Sequence, residues 1–242
     1  MKNVAAFFDI DGTIYREGLI KDIFKKMINY ELIEESKWYR EVRPAFISWD
    51  KREGTYDNYL QKMVDAHTEA VKGTNPIHME YLSKKVIEQK GDRVHTFSRG
   101  RISWHKENGH KVIAISGSPI ELVKEMSEKY KMDDYRGTTY KLDEEGNYSG
   151  EIIPMWDSRS KRKAIDELVE QYNIDIDKSY AYGDTAGDFS MLKMVGNPVA
   201  INPTKELLNK IIEDKELKEK IKIVVERKDV VYVLDVNCLD FS

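Results

Sequence analysis

The sequence predicts an α/β chain, a doubly wound parallel sheet with an all-helical segment inserted after its first strand. Three observations carry this. Val4–Phe8 is an apolar run without alternation, the pattern of a strand covered on both faces. Three further short apolar runs, Val112–Ile115, Ser179–Tyr182 and Val199–Ile201, come later, with amphipathic helical stretches between them. The stretch from about Tyr15 to Gly91 contains no convincing strand.

Taken in order, the first strand runs out into Asp9-Ile10-Asp11-Gly12-Thr13. The helical stretch that follows is broken near Glu34-Glu35-Ser36, Arg52-Glu53-Gly54-Thr55 and Gly73-Thr74-Asn75-Pro76. Its middle is rich in aromatics, with Trp38, Tyr39, Phe46, Trp49, Tyr56 and Tyr59 interleaved with Arg40, Arg43, Lys51 and Arg52. The core resumes near Arg93, with His95–Asn108 as its first helix and Gly109 ending it. After the second strand, Ser118-Pro119 reads as an N-cap followed by proline at the first helical position. Ile120, Val123, Ser127 and Tyr130 then share one helical face, and Ala164, Ile165, Leu168, Val169 and Tyr172 repeat the pattern after Lys161. Thr138–Leu142 and Tyr148–Ile153, flanking Glu144-Glu145-Gly146-Asn147, predict a β-hairpin projecting from the core. Ile223–Val225 and Val230–Leu234 predict a second hairpin near the C-terminus. The division expected is a discontinuous core of residues 1–14 and 93–242, Rossmann-like in its winding, and a helical cap of residues 15–92.

A chain of 242 residues suits one large α/β domain, or a core with an insert. The formal charge of −4 gives no basic footprint for nucleic acid. The single cysteine, Cys238, leaves no internal disulfide, which fits a reducing cytoplasm. Asp9 and Asp11 interrupt the apolar start, well short of a signal peptide or of a membrane span of about 20 residues. The expectation is a soluble cytoplasmic protein that binds neither nucleic acid nor membrane; the sequence does not specify an oligomeric state. His67, His78, His95, His105 and His110 show no metal-ligand spacing, so ordinary core and surface roles are expected of them.

Four segments point to one phosphate site. Ligands of open parallel sheets sit beyond the carboxyl ends of the strands, and there Asp9 and Asp11 stand one residue apart. Two charges at the mouth of a buried strand cost burial energy unless a metal or hydrogen bonds take them up. One carboxylate can attack phosphorus while its neighbour shuttles the proton, with Gly12 allowing the turn. Ser116-Gly117-Ser118-Pro119, read alone, is a helix cap; it also offers a hydroxyl, backbone N–H groups and a helix N-terminus to a phosphate oxygen. Lys161, Arg162 and Lys163 open a helix, and any one of the three cations could face a phosphate. Gly183-Asp184-Thr185-Ala186-Gly187-Asp188 ends the third strand with two more carboxylates, a hard-oxygen set that suits Mg²⁺.

Together these segments resemble the haloacid dehalogenase superfamily, whose four motifs are similar in order to FFDIDGT, ISGS, Lys161 and GDTAGD. The resemblance covers essentially the whole chain. The helical cap and the hairpin after Tyr135-Arg136-Gly137 resemble the phosphoserine-phosphatase-like branch. In that branch the lysine precedes the fourth-motif Asp by a nearly fixed interval, and the spacing from Lys161 to Asp184 matches it, which favours Lys161 over Lys163. The resemblance implies Asp9 as nucleophile and Asp11 as acid and base. It implies phosphoryl contacts from Ser116, Gly117 and Lys161. Mg²⁺ would be held by Asp9, the Asp11 backbone carbonyl and Asp184, with Asp188 orienting its waters or touching it. The function implied is Mg²⁺-dependent hydrolysis of a small phosphomonoester through an aspartyl-phosphate.

Phosphoserine phosphatase proper is one alternative, although that enzyme places Glu where this chain has Gly18, with Glu17 one position earlier, and a cap Arg where Asp57–His67 offers only Lys62. A phospho-acceptor signalling domain or a phosphotransferase is an alternative of another class. A basic cap residue, Lys62 being one candidate, is expected to meet an anionic leaving group.

Overall fold

The computed structural model describes residues 2–238. Strand β1 (Ala5–Phe8) is followed by five helical pieces, α1 (Leu19–Asn29), α2 (Glu35–Lys37, continuing into a π turn at Trp38–Val42), α3 (Arg43–Asp50), α4 (Tyr56–Val71) and α5 (Pro76–Lys90). The chain then forms α6 (Thr96–Glu107), β2 (Lys111–Pro119), α7 (Ile120–Lys129), β3 (Asp134–Leu142), β4 (Tyr148–Ile153) and α8 (Ser158–Tyr172). It closes with β5 (Tyr180–Gly183), α9 (Phe189–Met194), β6 (Asn197–Ile201), α10 (Lys205–Glu213), α11 (Lys215–Lys220), β7 (Lys222–Arg227) and β8 (Val230–Leu234). No described helix is long and apolar enough to cross a membrane.

Eight strands share one sheet in the order β4-β3-β2-β1-β5-β6-β7-β8. The pairs from β3 through β7 are parallel, and β4 and β8 add antiparallel edges. Residue alternation explains why helices cover both faces. Ala6, Phe8, Val112, Ala114 and Tyr182 enter one apolar cluster, while Ala5, Phe7, Ile113, Ile115 and Ala181 enter the other. Each central strand is therefore apolar at every position, because both parities are buried. The first cluster continues through Leu19, Ile23, Met63 and Leu82 of the helical segment, and the second packs on Ile165, Leu168, Met191, Leu207 and Leu217.

Two local expectations are corrected. The β3–β4 hairpin forms where it is expected, Thr139 pairing with Ile153 and Leu142 with Tyr148, but its first strand begins earlier, inside the sheet. Asp134, Tyr135 and Arg136 pair parallel with Ile113, Ala114 and Ile115, so β3 is a sheet strand before it turns back into β4. Ser118 and Pro119 do not cap α7 by side chain. Strand β2 runs on through both, Pro119 pairs with Thr138, and the Ser118 hydroxyl is taken by Asp11 at 2.7 Å. The predicted end of α6 holds, with Gly109 in the left-handed region just past it at φ 71°.

The chain leaves and re-enters the sheet region through two segments bonded to each other. The Arg16 N–H donates to the Arg93 carbonyl at 3.0 Å, and the His95 N–H donates to the Ile14 carbonyl at 2.8 Å. Glu226 at the end of β7 locks the same junction. Its two carboxylate oxygens accept the Thr96 and Phe97 N–H groups at 2.9 and 2.8 Å, capping α6, and Arg16 and His95 lie 3.6 Å away. Burial pushes the Glu226 carboxyl up. The Phe97 and Thr96 N–H groups, then His95 and Arg16, outweigh it and hold it below the ordinary 4.5.

A carboxyl with a lowered folded-state value stabilises fully above its unfolded value and loses that contribution as pH falls through the folded one. Glu226→Gln should therefore cost about 1–2 kcal/mol at neutral pH, the scale of a charged helix cap. In urea unfolding of the two proteins, that difference should shrink toward zero as pH drops below 4.5. A difference that stays constant with pH would mean the charge plays no part.

Candidate active site

Neighbouring strands β2, β1 and β5 end side by side, and each delivers polar groups to one spot. Asp9 leaves β1 with its N–H on the Tyr182 carbonyl at 2.9 Å, so β5 fixes its backbone. Asp184 follows β5, and one of its oxygens accepts the Thr13 hydroxyl at 3.1 Å. Lys161, only 2% exposed, reaches in from the first turns of α8 and donates to Asp9 Oδ1 at 2.6 Å and Asp188 Oδ1 at 2.5 Å. Its neighbours Arg162 and Lys163 point to solvent and pair with Asp166 and Glu167 one turn on. Asp157 holds α8 in place by accepting the Arg159 and Ser160 N–H groups.

The second oxygen of Asp188 accepts the N–H groups of Asp184 and Thr185 at 3.0 Å each, which shapes the turn that carries Asp184. Gly12 makes room for it. At φ +81°, a Cβ there would lie 2.0 Å from Asp184 Oδ2. Carboxylate oxygens of Asp9, Asp184 and Asp188 come within 4.8 Å of one another.

Asp11 is tied differently. Its carboxylate accepts the Leu19 N–H at 2.6 Å, the Ser118 hydroxyl at 2.7 Å and the Ser116 hydroxyl at 3.1 Å. Burial pushes the Asp11 carboxyl up despite these donors, and burial likewise pushes Asp9 and Asp184 up against the pull of Lys161. Burial works against the Lys161 ammonium too, yet Asp188 and Asp9 hold its proton more tightly than usual. One buried cation stands against four carboxylates. The surplus negative charge, with oxygens of Asp9 and Asp184 not committed to hydrogen bonds among the described residues, fits a divalent cation with hard-oxygen preference.

A small pit of about 50 Å³ lies among Asp9, Asp11, Gly117, Ser118, Trp156 and Lys161. It opens past Tyr56, Leu60 and Thr185 into a cavity of about 540 Å³ between the helical segment and the loop after β6. Of the residues expected at the site, Asp9, Asp11, Gly117 and Lys161 line the pit and Asp184 lines the larger cavity. Ser116 is fully buried behind the pit against Asp11, and Asp188 is fully buried behind Lys161. Lys62 is exposed on α4 and lines none of these cavities; Arg16, Lys21 and Arg52 are the cations that residues 15–92 bring to the larger one.

Sequence reasoning missed Trp156, Ser118 and Tyr56. Trp156 backs the pit, and a Cβ on Gly117 would come within 2.7 Å of its Cβ. Its one sequence signal is a large apolar residue directly before the Asp157 cap of the Lys161 helix. Ser118 was hidden because Ser-Pro reads as a helix start.

Carboxylates, a buried lysine and hydroxyls thus converge at the carboxyl ends of a doubly wound parallel sheet, where ligands of such sheets bind. The family model described as haloacid dehalogenase-like hydrolase matches residues 6–193, and the chain belongs to that family. A Streptomyces azureus protein named for inhibition of morphological differentiation is 26% identical over 209 residues, covering 86% of this chain and 74% of its own. A histidinol-phosphatase of Neisseria meningitidis is 24% identical, covering 91% of this chain and 96% of its own. Among solved structures, a substrate-bound phosphoserine phosphatase superposes with a TM-score of 0.60 at 21% identity, covering 95% of each chain, a likeness of fold. The chain is thus an enzyme of the hydrolase class, with phosphatases among its relatives.

Gly12→Ala tests the approach of Asp184. The left-handed backbone adds about 1 kcal/mol of strain, and the new methyl must push the carboxylate away. If Asp184 holds Mg²⁺, the affinity read by titration calorimetry falls about tenfold or more in this variant, the usual scale for disturbing a ligand's support. Unchanged affinity would remove Asp184 from the metal set.

Proposed function

We propose that this hydrolase is a Mg²⁺-dependent phosphomonoesterase that passes the phosphoryl group through Asp9. The observation that carries the reading is the buried Lys161 ammonium bonded to Asp9 beside the converging carboxylates of Asp184 and Asp188. Asp9, Asp184 and the backbone carbonyl of Asp11 would hold the ion, with Asp188 behind them fixing Lys161 and the Asp184 turn. When bound, Mg²⁺ neutralises charge on the phosphoryl oxygens and on the carboxylates that face them.

In the first half-reaction a carboxylate oxygen of Asp9 forms a bond to phosphorus as the bond to the leaving oxygen breaks. Asp11 gives that oxygen its proton. Burial raises the Asp11 carboxyl, which suits a group that must carry a proton before it acts. In the second half-reaction Asp11, now ionised, takes a proton from water as the water attacks phosphorus and Asp9 is released. The Gly117 backbone and Lys161 line the pit where the phosphoryl oxygens would lie, and Ser118 joins them there. Ser116 supports Asp11 from behind. The helices of residues 15–92 act as a cap that bounds the larger cavity and receives the leaving group.

Phosphoserine itself is not the best fit. Gly18 offers no carboxylate, and Glu17 is held by Arg93 at 2.7 Å and Lys21 at 3.2 Å, leaving it poorly placed to take a substrate ammonium.

The test is phosphate release from a panel of phosphorylated metabolites and aryl phosphates, with and without Mg²⁺. Wild type should turn over only with the ion, and Asp9→Asn should lose at least about a thousandfold in kcat. With an aryl phosphate, whose leaving group needs no proton, Asp11→Asn should accumulate protein carrying one phosphoryl group by mass spectrometry, because attack by water slows. Turnover that persists in Asp9→Asn would sink the reading.

A further inference from the structure

The cavity beyond the pit has a composition of its own. At about 540 Å³ it is of the size that buries a multi-atom ligand, far more than a serine side chain needs. One wall is aromatic, made by Phe46, Trp49, Tyr56 and Tyr59, with Leu60 and Met63 beside them. These rings brace one another. Trp49 stacks on Tyr59 with planes 8° apart, and Phe46 and Tyr56 meet them edge-on at centroid distances of 5.5 and 5.4 Å. Such a platform is built before any ligand arrives, and it suits a flat or apolar body.

Charges sort by position. Four cations line the cavity: Arg16, Lys21, Arg52 and Lys205. Two are already engaged. Arg16 donates to the Val94 carbonyl at 3.0 Å and faces Glu226, and Lys21 pairs with Glu17 and sits 5.6 Å above the Phe46 ring. Arg52 and Lys205 are exposed and make no ion pair among the described residues, one on the turn after α3 and the other at the start of α10 across the cavity. The acids that line the cavity, Asp11, Glu17 and Asp184, are at the phosphoryl end or held by Lys21 and Arg93. None of these acids is left to receive a cationic leaving group, and Lys21 already sits over the Phe46 ring.

We infer that the physiological leaving group is a planar or apolar body ending in an anion, a carboxylate or a second phosphate, which Arg52 and Lys205 bind. This rests on the phosphomonoesterase reading of the pit. The aromatic wall supplies contact area, and the two cations supply the discrimination, since the planar donor fork of a guanidinium matches planar oxyanions.

Three aryl phosphates separate the possibilities: 4-(carboxymethyl)phenyl, 4-(carbamoylmethyl)phenyl and 4-(2-aminoethyl)phenyl phosphate. The first two are isosteric and the third is one heavy atom smaller, and in each a methylene insulates the reacting oxygen from the terminal group. With Mg²⁺, wild type should prefer the anion over the neutral ester by about tenfold in kcat/KM, and the cation should rank last. Arg52→Asn and Lys205→Gln should each bring the anion-to-neutral ratio toward one, mainly through KM. Asn is chosen because residue 52 has φ 65°, a conformation Asn tolerates. The wild-type order alone decides the matter should a variant fold poorly. Release from all three esters without an anionic preference, or with the amine preferred, overturns this inference and leaves the phosphatase reading standing. Release from none of them, nor from any metabolite of the panel, overturns both.

Discussion

The Lys161 ammonium is the point on which the rest of the site depends. A buried lysine is tolerated only when its charge is answered, and here Asp9 and Asp188 answer it at 2.6 and 2.5 Å. These bonds tie β1, α8 and the turn after β5 into one constellation. Asp188 is the less visible partner. With one oxygen on Lys161 and the other on the Asp184 and Thr185 N–H groups, it turns the position of a cation into the position of a backbone turn. Asp184 is then held against Gly12, so the first-strand turn and the fifth-strand turn interlock. Removing one partner of such a set leaves an uncompensated buried charge, typically several kcal/mol, which makes the constellation rigid as well as reactive.

The helical segment is bound into the same core rather than merely placed over it. Residues of α1, α4 and α5 share an apolar cluster with Phe8, Val112 and Tyr182 on one face of the sheet. Its two linkers run side by side through residues 14–16 and 93–95, bonded backbone to backbone and anchored by Glu226. The turn between α4 and α5 is tied to the sheet as well, the Gly73 N–H donating to the Tyr148 carbonyl at 2.8 Å and the Tyr148 N–H to the Thr74 carbonyl at 3.0 Å. Asp22, buried and bonded by Tyr15 and Lys90, fixes α1 to the linker and to α5, so the segment moves as a packed unit if it moves.

The convergence of the residues proposed to act on the phosphoryl group is legible in the sequence because such chemistry restricts residue types. Asp9, Asp11, Asp184 and Asp188 follow apolar strands, and charges in such places need a reason that sequence can reveal. Lys161 could be chosen among three cations only through the spacing of a resembling family, since helical position alone did not separate it from Lys163. Periodicity found all eight strands, counting the two hairpins, but misplaced the first half of β3, where Asp134 and Arg136 look like a loop and pair with each other instead. It also read Ser118-Pro119 as a helix start. Proline in an extended conformation at a strand end satisfies the same local rules, and only the hydrogen bond from Ser118 to Asp11 decides between them.

The leaving-group end was not legible for the opposite reason. Aromatic residues at helical spacing have two uses, core and wall, and Phe46, Trp49, Tyr56 and Tyr59 serve both. They pack on the apolar cluster with one side and bound the cavity with another. Lys62 was chosen from its place on a helix, yet it faces solvent, while Arg52 reaches the cavity from a turn whose left-handed backbone no periodicity describes. A pit built from obligatory residue types and a cavity built from interchangeable ones divide the labour of the enzyme. In the proposed reaction the pit would set what bond is broken, and the cavity whose bond it is. Because the aromatic wall is sequence-tolerant in its contacts, selectivity in the proposed reaction would rest on the few charges set around it, and two of those, Arg52 on the turn after α3 and Lys205 at the start of α10, make no ion pair among the described residues.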